Sequence, residues 1–550
     1  MNLETPRKAI LVLGLILGLC LLTFVAFTFS LQVFSTTESN PFSMSLSKVY
    51  SRRGNIYDRN GVLLAFSVPS NSILVHPSLF RGDENMIYTL SRVGGITVNE
   101  LKTRLERGRN FYLRRQLTEI PDEVKGVIGV SILEDSKRLY PHRKSASHIL
   151  GFVDVDGWGR GGIEGYQNEI LKGRDGLAFI TIDAAGRGIP TYPQGSIMPV
   201  QGSDILLTID IHVQNMVEKA LARGIDKYKA LSGSAVVMDI NTGEIWALAN
   251  YPDFDPNNFR QSTGEQRRNR ALSFNYEAGS VLKTVSLAIA LEEEVVSLNS
   301  EFPAPASLRL RGGVVNNFRN RAYNVQNLKE ALKTSTNTVF AQLALKIGRE
   351  NFNKYYHTLF GVGRSFEVGM PGVEVGIYVD PESEMHLANI GFGQGIALTP
   401  LQVTSIYATL GNGGYFLKPG FIRAIRDSQG QLRYEHRPRI LRTVFRKQTS
   451  DLIIEALDGS ITSQTNRLAQ VEGYSLGGKT GTAQKIIDGK YSDEKIITTF
   501  AGFVTLKNPR FLIVVMFDEP NAPASSTAVP VFGEIARGLI EYLQLSGEGK

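Results

Sequence analysis

At 550 residues the chain is too long for one ordinary domain, and with 42% hydrophobic against 21% charged residues it can bury two or three substantial cores. Its net charge of +7 is spread without an Arg/Lys block or interleaved aromatics, a balance that argues against a nucleic-acid binder. The single cysteine, Cys20, lies in an apolar N-terminal run, which excludes disulfides and cysteine-based metal sites from the folded part.

Residues 9–29 carry no charge. As a helix, such a run is long enough to cross a hydrocarbon core of ~30 Å. A cleaved signal peptide is the competing reading, but its apolar core is usually only about 7–15 residues long, and Phe27-Thr28-Phe29 is no small-x-small cleavage site. A retained anchor is therefore predicted over 9–30, behind a tail 1–8 that carries Arg7 and Lys8. Beyond Ser30 the nearest charge is Glu38, so the positive-inside tendency puts the tail in the cytoplasm and the rest of the chain outside.

Residues 31–200 form the next predicted unit. The Ser/Thr/Asn-rich stretch 36–47 reads as a linker, and residues 53–65 read as a hairpin turning at Asn60-Gly61. From 66 to 200, short apolar runs alternate with Gly-rich turns such as 157–165, and no catalytic cluster appears. A β-rich structural or partner-binding pedestal is expected.

Residues 201–550 form the third unit. A β-rich stretch at 204–210 precedes a helical run at 213–222, and residues 234–240 and 245–249 flank the turn Asn241-Thr242-Gly243-Glu244. Residues 499–506 and 511–517 make another apolar pair around Lys507-Asn508-Pro509. Strands at both ends with helices between predict an α+β unit, an antiparallel sheet packed by a helical part.

Within it, Ser280 and Lys283 stand three apart at the start of a helix predicted over 280–291, where i and i+3 share a face and hydroxyl and amine would touch. A serine hydroxyl needs an adjacent base to become a nucleophile, and a lysine held neutral can serve. Ser335-Thr336-Asn337 follows between apolar helical runs, and Lys479-Thr480-Gly481-Thr482 comes later. Taken singly, each has a bland reading: Ser335 as a helix cap, Asn337 as a turn residue, Thr480 and Thr482 on a solvated strand. Ser-x-x-Lys, Ser-x-Asn and Lys-Thr-Gly in that order form a triple signature.

Residues 473–480 also fit the phosphate-loop pattern, which makes an ATPase the rival reading. That loop must open a helix, whereas 481–487 followed by Asp488-Gly489 reads as a strand and a turn. Gly473-Tyr474-Ser475-Leu476-Gly477 matches a nucleophile elbow but lacks the helix that should follow its serine. None of the seven histidines falls in a metal-ligand spacing, so neither a metal nor a cofactor is predicted.

With these motifs in place, the chain resembles the class B penicillin-binding proteins, peptidoglycan D,D-transpeptidases, over nearly its whole length after the anchor. The hairpin at 53–65, the stretch 148–153 with its later Gly-Ile-Glu-Gly, and residues 393–402 also resemble family segments. The resemblance implies a β-rich pedestal followed by a serine β-lactamase-like transpeptidase domain, with no separate glycosyltransferase. It implies Ser280 as nucleophile, Lys283 as general base, Ser335 as proton relay, Asn337 as a donor-peptide and lysine-positioning group, and Lys479 as the cation that helps keep Lys283 neutral. It further implies that Thr480, Gly481 and Thr482 line the site, the two threonines holding the substrate carboxylate and the Ser280 and Thr482 N–H groups forming the oxyanion hole. Ala278 and Thr284 stand where the family often has proline. Tyr276-Glu277 and the compact pedestal are more similar to the septal, cell-division type than to the elongation type. The implied partners are stem peptides on lipid-linked or nascent glycan strands, β-lactams, the membrane, a membrane glycosyltransferase and other divisome proteins. The implied location is the bacterial cytoplasmic (inner) membrane, crossed once, with the catalytic domain periplasmic or extracellular. A β-lactam sensor or scaffold, a β-lactamase and a carboxypeptidase are the alternatives.

Overall fold

The computed structural model describes residues 4–33, 45–182, 188–191, 196–364, 366–461, 469–487 and 490–545, which divide into two compact units. The first unit comprises residues 1–51 and 174–200. It opens on the helix Glu4–Val33 and contains a three-stranded antiparallel sheet, Ser45–Val49 against Gly176–Ile182 against Gly188–Thr191. Most of the expected linker at 36–47 lies outside the described residues. Its end departs from expectation, because Ser45, Leu46 and Ser47 pair with residues 178–180 as strand. Side chains are described for residues 12–14 and 16–28 of the helix, a shorter run than the predicted span. Among the described residues no helix is long and apolar enough to cross a membrane.

The second unit comprises residues 52–173 and 201–550 and is built on two sheets. One is five-stranded and antiparallel throughout, in the order β2-β1-β5-β4-β3, where β1 is Ser232–Asp239, β2 Ile245–Tyr251, β3 Gly477–Ile487, β4 Lys490–Val504 and β5 Phe511–Asp518. The helices that matter for the site are α1 (Ile211–Tyr228), α2 (Lys283–Glu292), α3 (Leu328–Thr334), α4 (Asn337–Ile347), α5 (Pro400–Gly411) and α6 (Ala528–Leu543).

Alternation along the strands explains how this sheet is covered on both faces. Val236, Met238, Leu512, Val514 and Met516 join the core with α2, α4 and α5, while Ala235, Val237, Ile513, Val515 and Phe517 join the core with α1 and α6. Both sets are buried, which is why residues 235–238 of β1 and 511–517 of β5 read as unbroken apolar runs. The helices have legible starts. Asp210 caps α1 by accepting from the His212 and Val213 N–H groups, and Asn327 with Glu330 and Thr399 with Gln402 form capping boxes at α3 and α5. The run expected at 213–222 is the middle of the longer α1.

The other sheet joins sequence-distant strands in the order 432–435, 422–426, 204–207, 56–57, 63–75 and 111–117, with 130–139 also paired to 63–75. The expected hairpin at 53–65 forms within it, Ile56 opposite Ala65. A buried carboxylate is bonded to the strand 130–139 of this sheet. Glu164 accepts from Arg53 Nε and Arg138 Nε, both at 2.7 Å, and from Tyr140 OH at 3.2 Å. Burial alone would raise its pKa, but the Arg138 and Arg53 charges win and hold it below the usual carboxylate range.

Candidate active site

The nucleophile motif begins one residue before the expected helix. Gly279–Leu282 is a 3-10 turn that runs directly into α2, so Ser280 and Lys283 sit at the eclipsed i, i+3 positions of a tight turn. Gly279 has φ of +60°, a conformation that disfavours any side chain, and a Cβ there would also crowd Thr482 O and Ala483 Cβ at 3.3 Å. The Tyr407 hydroxyl of α5 holds the turn from below, within 2.7 Å of Val281 O and 2.8 Å of Thr284 Oγ1. Thr284, a departure from the family pattern, thus has its own buried partner.

The second motif spans the junction of α3 and α4. Ser335 terminates α3 in the left-handed region at φ +59°, and Asn337 is the first residue of α4. A non-glycine residue held there costs about 1–2 kcal/mol, and such strain concentrates at functional sites. The third motif lies on the edge strand β3, where Lys479 pairs with Ala501 and Thr482 with Thr498. Gly481 brings that strand against the nucleophile turn, since a Cβ at this position would lie 2.2 Å from Ala278 O. The lysine of the phosphate-loop pattern is therefore in a strand, with no helix opening behind it. The turn expected at Asp488-Gly489 lies outside the described residues.

The three segments converge on two buried lysines. Lys283 Nζ donates to Ser335 O at 2.6 Å and to Asn337 Oδ1 at 2.6 Å, and lies 3.1 Å from Ser335 Oγ. Lys479 Nζ donates to the same Ser335 Oγ at 3.0 Å and to Thr480 O at 3.2 Å. Lys283 is wholly buried and Lys479 is 5% exposed. Burial, helped by the positive charge of Lys479, pushes the Lys283 amine well below its ordinary pKa. Burial alone pushes Lys479 down to about 7.

A neutral amine has two N–H bonds and one lone pair. The carbonyl of Ser335 and the amide oxygen of Asn337 can only accept, so they take both hydrogens and leave the lone pair of Lys283 free as a base. Asn337 Nδ2 donates to Asn316 O at 2.9 Å, which fixes the amide with its oxygen toward the lysine. The expected direct contact differs: Lys283 turns toward Ser335 and Asn337, and Ser280 Oγ makes no hydrogen bond among the described residues. Catalytic contacts often tighten only when substrate binds.

Thr480 is half-buried and Thr482 exposed beside the turn, and Thr482 Oγ1 accepts from Ala524 N at 3.4 Å. Glu277 is a site residue that sequence reading used only as a mark of subtype. Its Oε1 accepts from Gly395 N at 2.7 Å and Tyr491 OH at 3.2 Å, which ties the nucleophile turn to the 393–395 loop and to β4. Burial raises its carboxyl pKa. Among the described residues no His, Cys, Asp and Glu cluster could hold a metal ion.

The chain is similar to known proteins over most of its length. Residues 233–537 match the penicillin binding protein transpeptidase domain, and residues 48–207 match the penicillin-binding protein dimerisation domain. The chain is 31% identical to peptidoglycan D,D-transpeptidase FtsI of Escherichia coli K12, over 96% of this chain and 91% of that protein. It is 30% identical to the probable peptidoglycan D,D-transpeptidase PenA of Neisseria meningitidis, over 90% and 85%. It is 31% identical to stage V sporulation protein D of Bacillus subtilis, over 89% and 78%. Among solved structures it is similar to penicillin-binding protein 3 of Mycobacterium tuberculosis in complex with ampicillin, at a TM-score of 0.73 and 27% identity, covering 92% of this chain and 98% of that one. With the two matched domains in one chain and the three motifs meeting at two buried lysines, the protein belongs to the class B penicillin-binding proteins, the serine acyltransferases of the transpeptidase family.

Proposed function

We propose that the protein cross-links peptidoglycan stem peptides as a D,D-transpeptidase in septal wall synthesis. The observation that carries this reading is the Lys283 amine, buried, depressed in pKa and bonded to two obligate acceptors. Ser280 gives its proton to Lys283, and its Oγ bonds to the carbonyl carbon between the two terminal D-alanines. The backbone N–H groups of Ser280 and Thr482 take the oxyanion; losing one such donor typically slows catalysis about 10²–10³-fold. The C–N bond then breaks, and Ser335, bridging the two lysines, passes a proton to the departing D-alanine nitrogen. Thr480 and Thr482 hold the terminal carboxylate, with Gly481 leaving room for the strand to approach the turn. An amine of a neighbouring stem peptide attacks the ester, its nitrogen bonds to the carbonyl carbon as the bond from Ser280 Oγ to that carbon breaks, and the proton lost by the amine passes through Lys283 to Ser280 Oγ.

The anchor belongs to the same proposal. The uncharged run at 9–29 within the helix Glu4–Val33, preceded by Arg7 and Lys8, supports a single inner-membrane crossing with the catalytic domain outside. At 1.5 Å per residue, that helix is about 45 Å long. Tyr276-Glu277 and the E. coli FtsI similarity support a septal role beside a membrane glycosyltransferase and other divisome proteins.

The deciding experiment incubates the full-length protein in detergent with labelled penicillin, then with a D-Ala-D-Ala donor peptide and an amine acceptor. Label on the Ser280 peptide, absent in Ser280→Ala, together with a cross-linked product, supports the reading. Label without transfer would make the protein a sensor or scaffold, water as the sole acceptor a hydrolase, and no label on folded protein would overturn the acyl-enzyme mechanism.

A further inference from the structure

The strand Leu432–Glu435 ends the larger mixed sheet, and all four of its residues are exposed. One side of this strand pairs with the strand Ile422–Arg426; the other carries no strand among the described residues. His436 N donates to Arg423 O at 2.7 Å, and Glu435 stands opposite Ala424. Antiparallel pairs alternate between bonded and non-bonded positions, so the Glu435 N–H points to the open side.

Three observations describe what this edge would accept. Residues 418–442 hold seven Lys or Arg against two Asp or Glu. Asp427 is already paired with Arg433, whereas Arg437 and Arg439 have no ion-pair partner among the described residues. Beside the strand lies a groove of about 1040 Å³ whose lining includes Tyr434 and Arg439 together with the apolar Ile170, Val368, Phe421 and Ile425. A second copy of the same edge would bring two net-positive segments together, which is repulsive.

We propose that the Leu432–Glu435 edge is a docking site for an extended acidic segment of another protein, which adds as a strand and seats alternate apolar side chains in the groove. Backbone pairing supplies affinity, and the pocket and the arginines supply selectivity. A membrane surface offers negative charge but no row of backbone donors and acceptors.

The test measures anisotropy of a fluorescent octapeptide alternating Glu and Val, against its Lys and Val counterpart, on the detergent-solubilised full-length protein. The acidic peptide is expected to bind and the basic one not. Glu435→Pro removes an outward N–H while keeping the ladder to residues 422–426, as proline is tolerated on such edges, and should weaken binding about fivefold or more. Glu435→Val keeps that N–H and should bind at least as well as wild type. Arg437→Glu with Arg439→Glu should reverse the preference between the two peptides, and all variants should acylate with penicillin at the wild-type rate. Failure of the acidic peptide to bind, or equal binding by Glu435→Pro, overturns the proposal. So does phosphatidylglycerol vesicle binding without peptide binding, which would make the basic segment a membrane contact.

Discussion

Asn337 Oδ1 accepts a 2.6 Å hydrogen bond from Lys283 Nζ, and the far end of the same amide is pinned by Asn316 O. Asn337→Asp keeps the shape and puts a carboxylate against the amine. An opposite charge at this distance favours the ammonium form, typically by about 1–3 pKa units. The expected outcome is a penicillin acylation rate that falls near neutral pH and recovers at higher pH, with the rising limb of the profile displaced upward by that amount. A pH profile of the acylation rate constant checks it; a uniform drop without displacement would mean that Asn337 acts only on the substrate.

The two buried lysines weaken the fold near neutral pH. Lys479 titrates at about 7 when folded against an ordinary value of 10.5, so between those values the unfolded chain binds the extra proton. Stability therefore rises with pH across that window, by up to about 1.4 kcal/mol per pH unit for one group, and is lowest below it. Lys283 contributes with the same sign. Lys479→Met should be more stable than wild type at pH 7, with the gap closing toward pH 10 as the unfolded wild-type chain loses the lysine proton that the folded state has already released. Urea denaturation of both proteins from pH 7 to 10 measures that closing gap. Acylation should be lost in the variant at every pH.

Ser335 separates strain from chemistry. Ser335→Gly relieves the positive φ and should gain about 1 kcal/mol of stability, while Ser335→Ala keeps the strain and gains nothing comparable. Both remove the hydroxyl between the lysines, and both should slow acylation by about 10²-fold, the lower range for loss of a positioned proton-transfer group. Thermal denaturation beside acylation kinetics gives the two readouts. A glycine variant that loses activity far less than alanine would assign the defect to backbone conformation instead of proton relay.

The candidate site residues were legible because each motif is local. Ser280 and Lys283 are neighbours on one turn, and Lys479, Thr480, Gly481 and Thr482 lead into Ala483 to Ile487, whose pattern is that of a strand. The bond between Ser335 and Lys479 joins positions 144 apart and has no local sign in sequence. The left-handed Ser335 was hidden for another reason: serine rarely adopts that conformation, and tertiary contacts impose it. The register that pairs Ile205 with Ile56 across the chain was also invisible, since alternation predicts which face is buried and not which strand lies beside it. Glu277 was legible as a residue but not as a clamp, because its partners Gly395 and Tyr491 come from two other segments.

Glu164 sets the limit on what the pedestal-like region tolerates. Its carboxylate neutralises Arg53 and Arg138, whose side chains are 8% and 3% exposed, so Glu164→Gln strands two buried cations and should cost about 3–5 kcal/mol. The wild-type pair is also acid-sensitive. The folded pKa lies below the ordinary value of 4.5, so its stabilisation is fully present above that value and is lost as pH falls through the folded pKa. Tyr140, bonded to Glu164, exchanges backbone hydrogen bonds with the Asn257 side chain at 2.9 and 3.0 Å, which links this network to the short helical turn Pro256–Gln261 and not to Ser280. The expected result is a variant that is cleaved faster by protease and unfolds at lower temperature, yet acylates at close to the wild-type rate while folded. A fall in acylation equal to that of an active-site variant would instead make this carboxylate part of the route by which the pedestal governs the catalytic turn.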